Sequence, residues 1–539
     1  MLDFATGGAI LERFDALKNA RGEFESLWQE VAENVLGMRS FNRTYTPGQK
    51  RTQNIYDTTG MTSGNQLAGV FHGVLTNPAS RWNFLASEDP SFVPNAEEKN
   101  WIDHTDAVLQ HIFRRGEYGF IPAIAETYRD DVFFGNSDIF VEDVPGRGIR
   151  FEAVPLCDLY IDESQMGTVD LFFRHRKMTL RQAVQRYGEK NLGDKIMRRF
   201  EKDPTATLEV VGLIHERSEA KGGPDSPHPW RSVEVLVDEK RILRERGYWS
   251  RPHHVSRMVK DTGELYGRGP AIHALSSAKT LNEVMKSYLI TGQKLGDPPL
   301  MIAHEGILSQ VNTSPGSLVV VDGFAFDKNP VRPLIENFGQ TVVTDKLLAI
   351  LQFGVKQHFL GDALDAIMQQ YMTATQTIEI SEVVAQRLLS PISRIQVEKI
   401  EPMLMRVLDV VERGGMTLPR PKSLRGVPIR ARFLSPVERT QRASEMRAIV
   451  QSYTTTAQLA AINPDVFDNY DSDESARLLG DLSGIPPKVM RSIEERDDIR
   501  EIRAQREQAQ AQAAQMQQGI ESASKLLPAL AKVQSAQAA

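Results

Sequence analysis

The chain has 539 residues, 41% of them apolar and 25% charged, with a formal net charge of −6. That balance excludes wholesale disorder and collagen-like or mucin-like repeats, and the length implies roughly three or four domains. Lys and Arg are interspersed with acidic residues instead of gathered in a basic arm, which argues against a tight, phosphate-neutralising DNA binder but leaves DNA as a passing neighbour.

In chain order, the first ~36 residues place Ile10, Phe14, Leu17, Phe24, Trp28, Val31 and Val35 at helical spacing, which predicts one or two amphipathic helices. A polar loop follows, and Thr58 to Val74 reads as a helix rich in small residues. Asn77-Pro78 makes a turn before an apolar, strand-like segment, and Glu97 to Phe113 is again helical. From Phe133 to Ile161, and from Leu208 to Val259, alternating β-branched patterns predict short strands joined by long loops.

At Tyr266-Gly267-Arg268-Gly269-Pro270 the pattern changes. Pro270 suits the first turn of a helix, and Ile272, Leu275, Leu281, Met285, Tyr288 and Leu289 form an apolar stripe. That helix is expected to end near Gly296-Asp297-Pro298-Pro299, a small insert of turns and strands follows, and a second long helix runs from about Phe338 to Phe359. A third helical stretch is predicted from Thr373 to Glu412, with kinks at Pro391 and Pro402, followed by a proline-punctuated linker and a helical carboxy-terminal region. The whole is expected to be α+β and predominantly helical.

Chemical motifs are sparse. Gly188 to Lys195 is the nearest approach to a phosphate loop, but Asp194 stands where a lysine belongs and would repel phosphate. Gly60 to Gly64 is spaced like a nucleophile elbow with Thr62 in the serine position, and close helix packing is the preferred reading. His104 and His111, near Asp103 and Asp106, are two turns apart on one helix, too far to share an ion. His253 and His254 are adjacent on a strand and so face opposite ways. No metal site and no cofactor is expected. The single cysteine, Cys157, is expected to be a small buried hydrophobe. No apolar run reaches membrane-spanning length and the amino terminus lacks a signal-peptide pattern, so residence in the cytosol is expected.

Spread along the chain are RFDALKNARGEFESLWQEVAENVLG, IYDTTGMTSGNQLAGVFHGVLTNPASRWNFL, LYGRGPAIHAL, YMTATQT and LLSPISRIQVEKIEPMLMRVLDVVERGGMTLP. In their order and spacing these segments resemble the portal, or head-to-tail connector, proteins of short-tailed bacteriophages. Gln376 departs from that pattern, standing where the family often has an acidic residue.

The resemblance implies a non-enzymatic subunit of a dodecameric ring with wing, stem, clip and crown parts. Residues 1–265 would be wing, 266–294 and 335–358 the stem helices, 295–334 the clip, 359–372 the tunnel loop, 373–435 the remaining wing, and 436–539 the crown. Lys356, His358, Leu360, Gly361, Asp362, Asp365 and Gln369 would face DNA at the channel's constriction. Asp297, Pro298, Pro299, His304, Glu305 and Asp322 would sit on the partner-binding clip. The partners so implied are further copies of the chain, double-stranded DNA, terminase, a tail adaptor, the major capsid and scaffolding proteins, and internal core proteins at the crown. No membrane is implied, and the site of action would be the capsid vertex of the virion after assembly in the host cytoplasm. Readings from other classes are a packaging-motor enzyme, which lacks its phosphate loop here, and a tail adaptor or tube protein.

Overall fold

The structure is a computed structural model, and it describes residues 2–37, 41, 55–78, 81–89, 92, 94–144, 148–217, 220–221, 226–304, 312–322, 331–333, 341–361, 392–433, 436–460, 464–482, 490–491 and 495–510. They fall into two compact units, one of Met1–Glu88, Thr105–Pro419 and Pro428–Thr440, the other of Asp89–His104, Arg420–Val427 and Gln441–Ala539. Helix and sheet are mixed, with helix the larger share.

Strand β1 (Leu2–Asp3) precedes α1 (Gly7–Ala20), whose first turn is capped by the Thr6 hydroxyl accepting from the Ala9 N–H. The predicted stripe is the buried face, with Ile10, Leu11, Phe14 and Leu17 inside. Helix α2 (Gly22–Val31) runs into a π turn, Ala32–Leu36, stopped by Gly37 in the left-handed region. Then come α3 (Thr59–Leu75), β2 (Asn83–Ser87), α4 (Ala96–Arg114) and α5 (Phe120–Phe134).

Strands β3 (Asn136–Val144), β4 (Gly148–Val154), β5 (Leu159–Glu163) and β6 (Val169–Thr179) lead into three short helices, α6 (Leu180–Tyr187), α7 (Glu189–Leu192) and α8 (Asp194–Lys202). After them run β7 (Thr207–Glu216), β8 (Ala220–Lys221), β9 (Trp230–Leu236), β10 (Arg241–Tyr248) and β11 (His253–Arg257).

An antiparallel five-stranded sheet, ordered β10-β9-β7-β6-β5, is the centre of the first unit. Alternate residues serve opposite faces. Phe173, Val211, Leu213, Val233 and Val235 meet Phe4, Ile10, Phe14 and Leu17 on one side. Leu208, Val210, Leu236 and Leu243 meet Leu180, Ala183, Tyr187, Leu192 and Ile196 on the other. A second sheet is ordered β11-β3-β4.

Two features depart from the sequence expectation. Helix α5 was not predicted: Phe120, Ile124, Tyr128 and Val132 do recur at helical spacing, but its buried face also carries Thr127, Asp130 and Asp131, polar residues that interrupt the apolar stripe. Helices α6 to α8 were missed despite a legible start: the Thr179 hydroxyl accepts from the Gln182 N–H while the Gln182 side chain accepts from the Thr179 N–H.

The glycines of the Gly60–Gly64 segment serve close packing, as expected. A Cβ at Gly64 would lie 2.5 Å from the Phe133 ring, and one at Gly60 3.1 Å from Val35. Another close approach is at Gly135, which ends α5 at φ +76° with the Gly267–Gly269 backbone so near that a Cβ would meet Arg268 at 2.3 Å. Gly135→Ala is therefore expected to lower stability by about 2 kcal/mol or more, from left-handed strain plus a backbone clash with no side chain to yield. Urea unfolding at a dilution where the chain is monomeric reads it.

Helix α9 (Pro270–Gly296) follows, then β12 (Leu300–His304), β13 (Leu318–Asp322), β14 (Val331–Pro333) and α10 (Thr341–His358). Residues 362–391 lie outside the described ones, including Pro391 and the first part of the third predicted helix. Its later part is helical from residue 392, passes through a π turn at Gln396–Ile400 and continues as α11 (Glu401–Arg413), with Pro402 in the first turn. Strand β15 (Ile429–Phe433) pairs antiparallel with β2.

In the second unit α12 (Pro436–Ala460), α13 (Ser472–Leu482) and residues 495–510 are helical. The Tyr470 ring lies 5.0 Å from that of Tyr453 at a tilt of 47°, and the Asp473 carboxylate holds Arg496 and Arg500.

Candidate functional site

The pair α9 and α10 is rooted firmly at one end and bare at the other. In its first half α9 buries Ala271, Ile272, Ala274, Leu275, Ala278, Leu281 and Asn282. The Asn282 side-chain oxygen accepts from the Tyr56 and Asp57 N–H groups at 3.3 and 3.2 Å, and its amide donates to the Asn34 carbonyl at 3.3 Å. Lys279 pairs with Glu30 at 2.6 Å. From α10, Gln352 donates to the Asp57 carboxylate at 2.7 Å while Val355 and Phe359 are fully buried.

Past Asn282 no residue of α9 is buried. The Tyr288 hydroxyl reaches across to Asp345 on α10, whose negative charge holds the phenol's pKa up. Leu289, Ile290 and Leu347 are exposed, as are Ile350 at 67% and Phe353 at 53%. Five large apolar side chains thus lie only partly covered on one two-helix element, and each would gain roughly half of the ~1.5 to 3 kcal/mol that full burial of an exposed side chain brings.

Between the helices β12 pairs parallel with β13 and antiparallel with β14. Asp297 is exposed, Pro298 half-buried and Pro299 buried, and the Asp297 carbonyl accepts from the Gly316 N–H at 3.0 Å. Register sets His304 opposite Asp322. Leu318 and Val331, on the outer two strands, are exposed. Glu305 lies outside the described residues.

The helix α10 closes through Phe359 and Leu360 N–H groups donating to the Lys356 and Gln357 carbonyls at 3.0 and 3.1 Å. Leu360 takes φ +57°, a left-handed conformation that a leucine rarely adopts, and buried Gly361 tucks against Lys356. Lys356 is half-buried and His358 exposed. Partial burial, with His273 alongside, lowers the His358 pKa. Asp362, Asp365 and Gln369 lie outside the described residues.

A polar cluster that the sequence reading missed fastens the helical run 392–413 to the second sheet. Lys399, fully buried, ion-pairs with the equally buried Asp131 of α5 and donates to the Ser137 hydroxyl at 2.8 Å. The Ser256 hydroxyl donates to Asp131 at 2.6 Å. Burial pulls the Lys399 pKa down, opposed by Asp131. Close by, Arg257 binds Glu398 at 2.8 Å and Glu163 at 2.6 Å. Two serines beside a lysine have the makings of an acyl-transfer site, but all three side chains are sealed from solvent and no substrate carbonyl reaches them.

His253 and His254 diverge as expected. The His253 ring bonds the Asp138 carboxylate, while both His254 ring nitrogens are buried without a hydrogen-bond partner among the described residues. Burial, with Arg251, Arg406 and His253 alongside, holds the His254 pKa well below 6.5. Below pH 6.5 the unfolded chain binds a proton here that the folded chain does not. Stability is therefore expected to fall as pH drops through that range, by up to ~1.4 kcal/mol per unit. Urea titrations of the wild type and His254→Leu between pH 7.5 and 5 read it: the variant should show the shallower slope.

Cys157 is only half-buried, and its thiol donates to Asp158 at 3.2 Å, so the expectation of a buried hydrophobe is corrected: a hydrogen-bonded turn holds it at the surface. Asp106 ion-pairs with Arg81 at 2.7 Å. Among the described residues no group of three or more His, Cys, Asp or Glu is placed to hold a metal, and no helix is long and apolar enough to cross a membrane.

Comparison with known proteins bears on the whole length. A protein described as "Probable portal protein" of Bordetella phage BPP-1 is 26% identical over 96% of this chain and 94% of its own. The portal protein of Salmonella phage epsilon15 is 27% identical over the same shares. Among solved structures, a chain from the virion of a native gene transfer agent particle aligns with 84% of this chain and 93% of its own, at 10% identity and a TM-score of 0.38. The family model for the bacteriophage head to tail connecting protein matches residues 8–490, a span holding the rooted helix pair, its insert and both large sheets. With that match covering most of the chain, the chain belongs to the bacteriophage head to tail connecting protein family.

Proposed function

We propose that this protein is the portal subunit of a phage capsid, a structural ring component through which the genome is packaged and later released. What carries the reading is the end-to-end match to portal proteins. The uncovered apolar side chains on α9 and α10 support it physically, because identical neighbours closing around an axis would cover them all alike. The ring is dodecameric, with α9 and α10 as stem, the β12–β14 insert as clip, residues 359–372 as tunnel loop, residues before 266 and from 373 to 435 as wing, and 436–539 as crown.

On this reading the clip, with Asp297, Pro298, Pro299, His304, Glu305 and Asp322, docks first terminase and then a tail adaptor. Lys356, His358 and the loop from Leu360 to Gln369 stand nearest the DNA. A net charge of −6 per subunit and few cations at the constriction suit a wall that lets a phosphate backbone slide, since every strong phosphate contact would add a barrier to movement. No catalytic step is assigned.

Single-particle imaging of the purified chain tests the proposal. Annular particles with an open axis are expected, and a compact monomer persisting at high concentration overturns it.

A further inference from the structure

Four arginines converge over one face of the five-stranded sheet. Arg174 and Arg176 are two apart on β6 and so share that face, Arg246 comes from β10, and Arg186 leans in from α6. Among them lies Gly212 of β7, directly opposite Arg174 on one side and Glu234 of β9 on the other. With no side chain there, the floor is open: a Cβ at Gly212 would meet nothing nearer than the Arg174 carbonyl at 3.7 Å. Phe140, Tyr248 and His253 complete the walls of the hollow, which leaves about 10 Å³ for the centre of a water-sized sphere, room for one small occupant.

The charge around it does not balance. Glu234 takes Arg186 at 2.6 Å and Arg176 at 3.1 Å, Glu142 of β3 takes Arg246 at 2.8 Å, and Glu152 of β4 takes Arg174. Four guanidiniums therefore share three carboxylates, and Arg150 lies a further 3.7 Å from Glu152. Burial, with Arg174 and Arg186 alongside, pushes the Arg176 pKa down to about 10. Arg174 is only 8% exposed, and its Nε and Nη1 are buried with no hydrogen-bond partner among the described residues. A guanidinium so deeply placed calls for both counter-charge and acceptors for its N–H groups.

We propose that the hollow over Gly212 binds one small monovalent anion, a halide such as chloride. Acetate, sulfate and phosphate are excluded by size, because a space for one sphere has no room for several oxygens. Water fits but brings no charge. A halide supplies the fourth negative charge and accepts hydrogen bonds from the arginine that lacks them. Bound there, it ties together α6, the central sheet and the second sheet, which contributes Glu142 and Glu152. Every contributing residue belongs to one chain, so the site does not depend on ring closure.

The test uses the full chain at constant ionic strength, with sodium gluconate exchanged stepwise for sodium chloride. The thermal midpoint is expected to rise by several degrees and to saturate, with bromide acting alike. Chlorine-35 NMR line broadening, displaced by bromide, reads binding directly. Gly212→Ala puts a methyl group into the hollow without a backbone clash. It should cut the broadening several-fold and abolish the chloride dependence of the midpoint, with unchanged circular dichroism. Arg174→Met removes the surplus charge while leaving Arg150 beside Glu152, and should do the same. A midpoint indifferent to chloride, or one that changes without saturating, means that water fills the hollow and overturns the inference. Broadening that survives in either variant with a wild-type circular dichroism spectrum puts the ion elsewhere and overturns it equally.

Discussion

Lys399→Met is expected to cost the first unit about 3–5 kcal/mol, because it strands the Asp131 carboxylate in a site from which water is excluded. The ammonium now serves Asp131 and the Ser137 hydroxyl together, and the Ser256 hydroxyl completes the shell of the carboxylate. Removing the cation leaves the Asp131 carboxylate and the Ser137 hydroxyl without their common partner. Pairing the change with Asp131→Leu should recover much of the loss, since replacing both charges by apolar groups of similar volume is often close to neutral. Urea unfolding at a concentration where the signal is independent of dilution measures both variants. A loss below about 1 kcal/mol for Lys399→Met would mean that water reaches the pair.

Charging the bare face of α10 should act on assembly and leave the fold alone. Ile350→Asp with Phe353→Asp places two carboxylates where both side chains are already exposed, so the isolated subunit loses no core contact. In a ring each copy would bury those carboxylates against apolar neighbours, at a cost of several kcal/mol per subunit. Sedimentation velocity is expected to show monomers where the wild type shows large particles, with unchanged circular dichroism. Ile350→Val, which keeps the apolar character, should assemble normally. Rings formed by the double aspartate variant at wild-type concentrations would remove this face from the interface.

Much of the helical framework is legible before any coordinates. The stripe Ile10, Phe14, Leu17 forecast α1, and the stripe from Ile272 to Leu281 forecast the rooted half of α9, because one-sided burial leaves a 3.6-residue period in the residue order. Pro270 and the glycines before it marked where α9 begins. Helix α5 hid the same sign, since polar Thr127, Asp130 and Asp131 lie buried among its apolar residues and break the stripe.

The candidate site divides along the same line. Residue order alone determined that two long helices flank a small insert and that Lys356, His358 and Leu360 close the second of them. The sequence also carried Lys399 in plain view, inside the run from Ile395 to Ile400, but a lysine on a helix is ordinarily solvated. Only the tertiary structure decided that it meets Asp131 from 268 positions away, because α5 and the second sheet close over it. The pairing of β15 with β2 was likewise decided in three dimensions. Which backbone groups of a strand go unpaired depends on what lies beside it, and strands that pair across hundreds of residues leave no local trace of their neighbours.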